Sequence, residues 1–286
     1  MGEAGAPRTV VLTGASDGIG AIAAENLVRD GHRVLVVGHS PEKTRAVAGR
    51  LGVAYAVADY TRLDDVRRLA RHIRATCPDL DVLGNNAGAQ FPRASLTEDG
   101  FERTFQVNYL APFLLTWLLR DLLLARRGAV VTTASAAARM FGRLDVDDLT
   151  GVRHFSSARA YGPFRAYGNA KIATILFTRA LHHRYRDDGL SAVAVSPGIV
   201  ATNFGREMGP LYDLAFRSPL GRVLADPESG GRLLADFLAG TPGRDWRSGQ
   251  LYGTRHTVVR TNPQAYDPAL ELYLWTRTLE MLDLSE

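Results

Sequence analysis

Short runs of β-branched and apolar residues alternate with longer helical patterns along most of this chain. That rhythm constrains the fold more than any other feature. Thr9 to Thr13 is the first apolar run, and a helical pattern carrying Ile22, Ala23, Leu27 and Val28 follows it. Arg33 to Val37 is the second, reached after an Asp30-Gly31 stop. Helix is then expected near 42–51, strand at 53–57, helix at 63–76 and strand around 81–83. A helix near 112–125, a strand at 129–133, a helix from about 167 to 185 and a strand at 191–195 continue the series. Continuously apolar strands separated by helices need cover on both faces, which predicts a doubly wound parallel α/β sheet. No Pro/Gly/Ser linker divides the chain, so a single domain over residues 1–286 is expected. Two stretches break the rhythm, 136–165 and 202–227. Long irregular segments of this kind are commonly covers or binding loops, so the first reads as an inserted loop and the second as a substrate lid.

Composition narrows the class. Hydrophobic residues make up 46% and charged residues 22%, as in an ordinary globular chain. The net charge of +4 is scattered, and Arg67, Arg68, Arg71 and Arg74 read as the solvated face of one helix. With no basic block and no zinc-knuckle spacing, a nucleic-acid partner is not expected. His182 and His183 suggest no third ligand, so no metal is expected. No apolar run approaches the roughly 20 residues that cross a bilayer, and Met1 to Thr9 lack the pattern of a secretory signal. The single cysteine, Cys77, excludes an internal disulfide framework. These features lead to an expected cytoplasmic protein with no membrane association, and any small-molecule substrate must be sought in the motifs. One oddity matters later: of 34 basic residues only Lys43 and Lys171 are lysines.

Between the first strand and first helix lies Thr13-Gly14-Ala15-Ser16-Asp17-Gly18-Ile19-Gly20. Its three glycines allow a sharp turn and close backbone approach to a diphosphate. The helix starting near Gly18 aims free N–H groups and its positive end at that anion. Further along, Tyr167 and Lys171 are four residues apart on a strongly helical segment and project from one face. Free tyrosine, with a pKa of about 10, is a poor base at neutral pH, but an adjacent ammonium stabilises its phenolate. Arginine is this chain's habit, so a lysine kept at position 171 implies that its compact charge matters. Ser135 ends the strand at 129–133 on the side where open α/β sheets bind ligands, with Thr132 and Thr133 as rivals. Asn108 falls inside an apolar helical stretch, where asparagine is unfavourable without a reason.

The glycine spacing resembles the TGxxxGxG turn of the classical short-chain dehydrogenase/reductase family, and the other segments match it in order over roughly residues 8 to 203. The resemblance implies a Rossmann-type sheet and a nicotinamide cofactor. It also implies a catalytic tetrad of Asn108, Ser135, Tyr167 and Lys171, with Asn108 holding a water that links the lysine to solvent. Gly14, Ser16, Asp17, Gly18, Ile19 and Gly20 would receive the diphosphate. Asp59 and Tyr60 would meet the adenine, and Asn86, Ala87 and Gly88 would border the adenine ribose. Pro197, Gly198, Val200 and Thr202 would border the nicotinamide. The second strand ends Gly38-His39-Ser40 without the acid that selects NAD. His39, Ser40 and Lys43 can instead donate to a 2′-phosphate, which favours NADP(H) and leaves NAD(H) open.

Ser135 and Tyr167 are separated by 31 residues, a long insert, and Phe164 to Phe177 follows with Ala173-Thr174-Ile175-Leu176-Phe177. This region is similar to the retinol-dehydrogenase-like and WW-domain-oxidoreductase-like branch. That implies a lipophilic carbonyl or alcohol substrate, and a ketoreductase of secondary metabolism would look the same. The expected activity is hydride transfer between NADP(H) and such a carbon. An epimerase, a redox-neutral biosynthetic enzyme or a cofactor-sensing regulator are the alternatives. Phe204, Met208, Leu211, Tyr212 and Phe216 recur near helical spacing, as lid or as core. The last segment, 266–284, should dock on its own domain or on a sister chain. The resemblance implies a homo-oligomer through the helices holding Asn108 and Tyr167.

Overall fold

The computed structural model describes residues 6–149, 162–198 and 226–285. Seven parallel strands form one sheet in the order β3-β2-β1-β4-β5-β6-β7. The strands are β1 (Thr9–Thr13), β2 (Arg33–Gly38), β3 (Ala54–Val57), β4 (Val82–Asn85), β5 (Ala129–Thr133), β6 (Ser191–Val195) and β7 (Leu251–Tyr252). Between them run α1 (Gly18–Arg29), α2 (Pro41–Leu51), α3 (Leu63–Thr76), α4 (Arg103–Ala125), α5 (Pro163–Tyr185) and α6 (Pro227–Ala239). The last helix, α7, is Pro268–Met281.

Alternate residues of each strand feed two cores. Val11, Leu35, Leu83 and Val130 pack under α3, α4, α5 and α7, whereas Val10, Leu12, Val36 and Val131 pack under α1 and α6. Burial on both sides explains why the inner strands read as unbroken apolar runs. β3 is the exception, an edge strand with Tyr55 and Val57 exposed. Local stops match the sequence reading: Gly31 at φ +87° follows α1, and Gly52 at φ +68° ends α2 in the left-handed conformation that glycine adopts freely. The order reverses direction between β1 and β4, which opens a crevice at their carboxyl ends.

Two expectations are sharpened. The stretch Arg103–Ala125 is in fact long and apolar enough to span a bilayer by length and composition, although no uninterrupted apolar run reaches that length. Of its most apolar window, 72% is buried in the fold, so it acts here as a core helix. The C-terminal segment docks on its own chain. Trp275, 2% exposed, lies 5.0 Å from the Phe113 ring, 6.0 Å from Trp117 and 6.3 Å from Phe177. The Tyr109 hydroxyl bonds Thr278 Oγ1 at 2.7 Å, and buried Glu271 meets His183 at 2.7 Å and Arg179 at 3.4 Å. α7 therefore covers α4 and α5 on the side away from the sheet. The arginines of α3 do form a solvated face: Arg68 pairs with Asp65 and Arg74 with Asp121, while Arg67 caps the chain's end by donating to the Leu282 carbonyl.

Candidate active site

The strand ends are tied together before any ligand arrives. Thr13 Oγ1 donates to the Gly84 carbonyl and accepts from the backbone N–H groups of Asn86 and Ala87, each at 3.0 Å. The Asn86 amide donates to the carbonyls of Thr13 and Gly14 at 3.1 Å, and its Oδ1 accepts from Thr133 Oγ1 at 3.0 Å. Asn86 thus staples the glycine turn to β4 and β5. A Cβ on Gly14, whose φ is +64°, would sit 2.7 Å from the Ala87 Cα. Gly20 likewise has no room beside Gly14. Asp17 caps α1 by accepting from the Gly18 N–H at 2.8 Å, and Ile19 anchors the turn against the α1 core. Glycines pressed on backbone beside an open helix N-terminus make a cradle that fits a dinucleotide diphosphate.

At the end of β2, Gly38 has no side chain because Ser16 and Thr44 fill that space. His39 is exposed. Ser40 caps α2, its hydroxyl accepting from the Lys43 N–H at 3.4 Å. Lys43 does not stand free: its Nζ lies 2.7 Å from Asp17 Oδ2. Asp59 is exposed at the end of β3, holding Thr61 through backbone and hydroxyl at 2.9 and 2.8 Å. Tyr60 corrects the sequence expectation. It is 5% exposed, its side chain belongs to the core, and burial pushes its phenol pKa up. Its backbone carbonyl accepts from the buried Gln106 Nε2 at 3.1 Å.

At the other end of the crevice, α5 carries Tyr167 and Lys171, 9% and 3% exposed. The ammonium lies 5.5 Å from the phenol ring centroid and donates to the Thr133 carbonyl at 2.8 Å. Burial pulls its pKa down from 10.5 to about 7. Asn108 sits in a π-helical turn, Gln106–Leu110, within α4. Its amide donates to the carbonyls of Ala89 at 2.7 Å and Thr104 at 2.8 Å, while its buried Oδ1 has no hydrogen-bond partner. A Cβ on Gly88 would lie 2.6 Å from that oxygen and 3.6 Å from Lys171 Nζ, so the asparagine oxygen and the ammonium share one corner.

Among the three hydroxyls at the end of β5, Thr132 is buried, Thr133 is engaged by Asn86, and Ser135 is half-buried. Ser135 is the one left to face the crevice, its Oγ accepting from the Ala137 N–H at 3.2 Å. Two glycines that the sequence reading missed set its distance from Tyr167. A Cβ on Gly168 would meet the Gly142 nitrogen at 2.6 Å and the Ala137 carbonyl at 2.8 Å. The segment following Ser135 therefore lies directly on the backbone of α5. A glycine immediately after the tyrosine was the available signal.

Pro197 and Gly198 follow the end of β6, with Gly198 at φ +86°. Val200, Thr202 and Phe204 to Phe216 lie outside the described residues, as does 150–161 of the insert. The insert's first part is tied down, since Gln264 both accepts from and donates to the Leu144 backbone at 3.0 and 2.9 Å. His182 is half-buried and bonded to Ser248 at 2.9 Å. Among the described residues, no group of three or more His, Cys, Asp or Glu side chains could hold a metal ion.

The family model described as short chain dehydrogenase matches residues 8–144. A curated Streptomyces sp. (strain C5) protein named "Putative daunorubicin C-13 ketoreductase" is 38% identical over 275 residues, spanning 94% of this chain and 90% of its own length. Mouse retinol dehydrogenase 13 is 30% identical, spanning 97% and 84%. Among solved structures, a Mycobacterium paratuberculosis protein superposes with a TM-score of 0.76 at 29% identity, over 97% of this chain and 94% of that one. A Pseudomonas aeruginosa RhlG/NADP complex gives 0.66 at 26%, over 86% and 94%. The chain belongs to the short-chain dehydrogenase/reductase family, on its retinol-dehydrogenase-like branch.

Proposed function

We propose that this protein is an NADP(H)-dependent oxidoreductase that reduces a lipophilic ketone or aldehyde, or oxidises the matching alcohol, with Tyr167 as the acid/base. The reduced nicotinamide, when bound, supplies the hydride. The observation that carries the reading is the buried Lys171 ammonium beside the Tyr167 ring at the carboxyl end of the sheet. Ser135 holds the substrate oxygen by a hydrogen bond and so places it near the phenol. Tyr167 gives its proton to that oxygen as negative charge develops there. Lys171 stabilises the resulting phenolate through its charge, and a pKa of about 7 puts its own proton within reach of exchange at neutral pH. The unpaired Oδ1 of Asn108 is placed to hold a water beside that ammonium, which gives the proton a route from solvent.

The 2′-phosphate preference rests on the absence of an acid after β2 and on His39, Ser40 and Lys43. Exposed Met140, Phe141 and Phe164, the last two with rings 5.2 Å apart, lie close in sequence to Ser135 and Tyr167 and support an apolar substrate. The unbridged Cys77 supports a cytoplasmic setting. With α7 lying on the outer faces of α4 and α5, a second copy that pairs through those helices would meet α7 as well. Light scattering on the purified protein should give the monomer mass or a dimer built elsewhere.

The deciding experiment follows NADPH absorbance against a panel of lipophilic carbonyls that includes retinaldehyde and an anthracycline C-13 ketone, with products identified. Consumption matched to alcohol formation is the expected result. Tight NADPH binding with no consumption across the panel would remove the redox reading.

A further inference from the structure

We propose that Gln106 is a positioning residue for the proton route: its buried amide holds the π-helical turn of α4 so that the Asn108 oxygen stays beside the Lys171 ammonium. The proposal rests on the functional reading above, and its first test needs no substrate. Gln106 begins that turn, Gln106–Leu110. It stands between Phe105 and Val107 and is 0% exposed. A fully buried amide costs free energy unless its polar atoms are bonded, so a glutamine at such a place needs a use.

Its bonds show the use. Oε1 accepts from Thr97 Oγ1 at 2.5 Å, and Nε2 donates to the Tyr60 carbonyl at 3.1 Å and to Asp99 Oδ2 at 2.8 Å. The same Asp99 oxygen accepts from the Leu63 N–H at 3.0 Å, at the start of α3, where the N-cap residue Arg62 offers no side-chain bond. One side chain thus fastens the first residue of the turn to the segment after β3, to the loop before α4 and, through Asp99, to α3. That loop is itself closed: the Thr97 carbonyl accepts from the Gly100 N–H and its hydroxyl from the Phe101 N–H. The tether has firm anchors.

What it fastens matters because the helix widens there. The Gln106 carbonyl accepts from the N–H of Ala111, five residues on, which is the π-helical bond. Asn108, two positions after Gln106, spends its amide N–H groups on the Ala89 and Thr104 carbonyls, and its oxygen shares the Gly88 corner with Lys171 Nζ. Tyr109 ties the turn to α7 through Thr278, on the side away from the sheet. Gln106 ties it to the segments at the strand ends. Without that second tie the turn can relax toward an ordinary helix, which carries fewer residues per turn and rotates Asn108 away from the ammonium.

The scarcity of lysine makes a direct test possible. Protein grown on carbon-labelled lysine has two labelled side chains, Lys171 and Lys43, and Lys43→Arg tells their NMR signals apart. In the ligand-free wild type Lys171 should titrate at about 7, with the Lys43 signal as internal reference. Gln106→Leu removes the amide and keeps the bulk. It should lower the Lys171 midpoint by about half a unit, because an acceptor that favours the ammonium has moved away. It should also lower kcat about tenfold, through a misplaced group in the proton route, while the KM for NADPH stays within about twofold. Phe113→Leu, a core change in the same helix, should cost stability without moving the Lys171 midpoint. Gln106→Met, unbranched and also apolar, is read in the same way if Gln106→Leu does not fold. The proposal is overturned by an unmoved Lys171 midpoint in Gln106→Leu, by one that rises, as simple entry of water would cause, by an equal shift in Phe113→Leu, or by unchanged turnover. A wild type that reduces no carbonyl sinks the functional reading instead, and the lysine titration still decides the role of Gln106.

Discussion

Lys171 and Lys43 belong to two ends of one crevice, and their surroundings are opposite. Lys171 is 3% exposed, is bonded to no carboxylate among the described residues, and donates a hydrogen bond to the backbone carbonyl of Thr133. Lys43 has 42% of its side chain in solvent and rests on Asp17. The same functional group is thus used in two ways. Without water, the cost of holding the charge moves the pKa of Lys171 to about 7, where an ammonium can exchange protons. In water, an ion pair costs little to open, so it can give way to an incoming phosphate. On the proposed function, the buried end serves chemistry and the wet end serves recognition.

The largest expected effect tests the buried end. Tyr167→Phe should lower turnover by about 10² to 10⁴-fold, the range of a general acid/base, while NADPH still binds. Unchanged turnover would take Tyr167 out of the mechanism. The same exchange made at both ends then tests the comparison itself. Lys171→Arg places a planar group with five donors where one carbonyl is offered, and it never deprotonates, so turnover should fall by about 10²-fold or more. Lys43→Arg should move the KM for the cofactor rather than kcat. Equal losses in kcat from both exchanges would erase the distinction between the two ends.

How much of this was legible follows from where the signals lie. β1, β5, β6 and α3 begin and end where the sequence pattern placed them, because buried parallel strands and an amphipathic helix write their periods into residue order. β7 is two residues long and has no period to read. α6 was hidden by Gly230 and Gly231 in its middle, although Gly231 is what lets it lie against Ile22. Tyr60 was misassigned by adjacency. Asp59 and Tyr60 lie past the end of β3 at a turn where Asp59 holds Thr61, and there the chain sends the Asp59 side chain to solvent and the Tyr60 side chain into the core, which no periodicity announces. The oddity of Asn108 was readable, but its π-helical turn was not, since one extra residue per turn leaves no mark in composition. The Asp17–Lys43 contact joins residues 26 apart and had no local signal.

A smaller effect is expected from adding charge to the wet end. His39→Asp places a carboxylate beside the 2′-phosphate position and should shift the ratio of kcat/KM for NADPH over NADH by about tenfold toward NADH. Paired kinetics with both cofactors measure it. A recognition group should change this ratio without changing the pH profile of turnover. A shifted pH profile in His39→Asp would mean that the two ends are coupled, contrary to the separation drawn from their exposure.

The smallest effect concerns stability and isolates the burial of Lys171 from catalysis. In the unfolded chain its ammonium titrates near 10.5, and in the fold near 7. Between those values the unfolded chain holds one proton more, so unfolding takes up a proton and stability rises with pH across that window. Lys171→Met removes this dependence. Denaturant midpoints of the ligand-free wild type and Lys171→Met, compared from pH 7 to 9, should show the wild type gaining about 2 kcal/mol relative to the variant. A difference that stays constant with pH would mean that Lys171 keeps its charge in the fold as easily as in water. The contrast between a dry end tuned for proton exchange and a wet end tuned for recognition would then lose its physical basis, whatever the turnover numbers say.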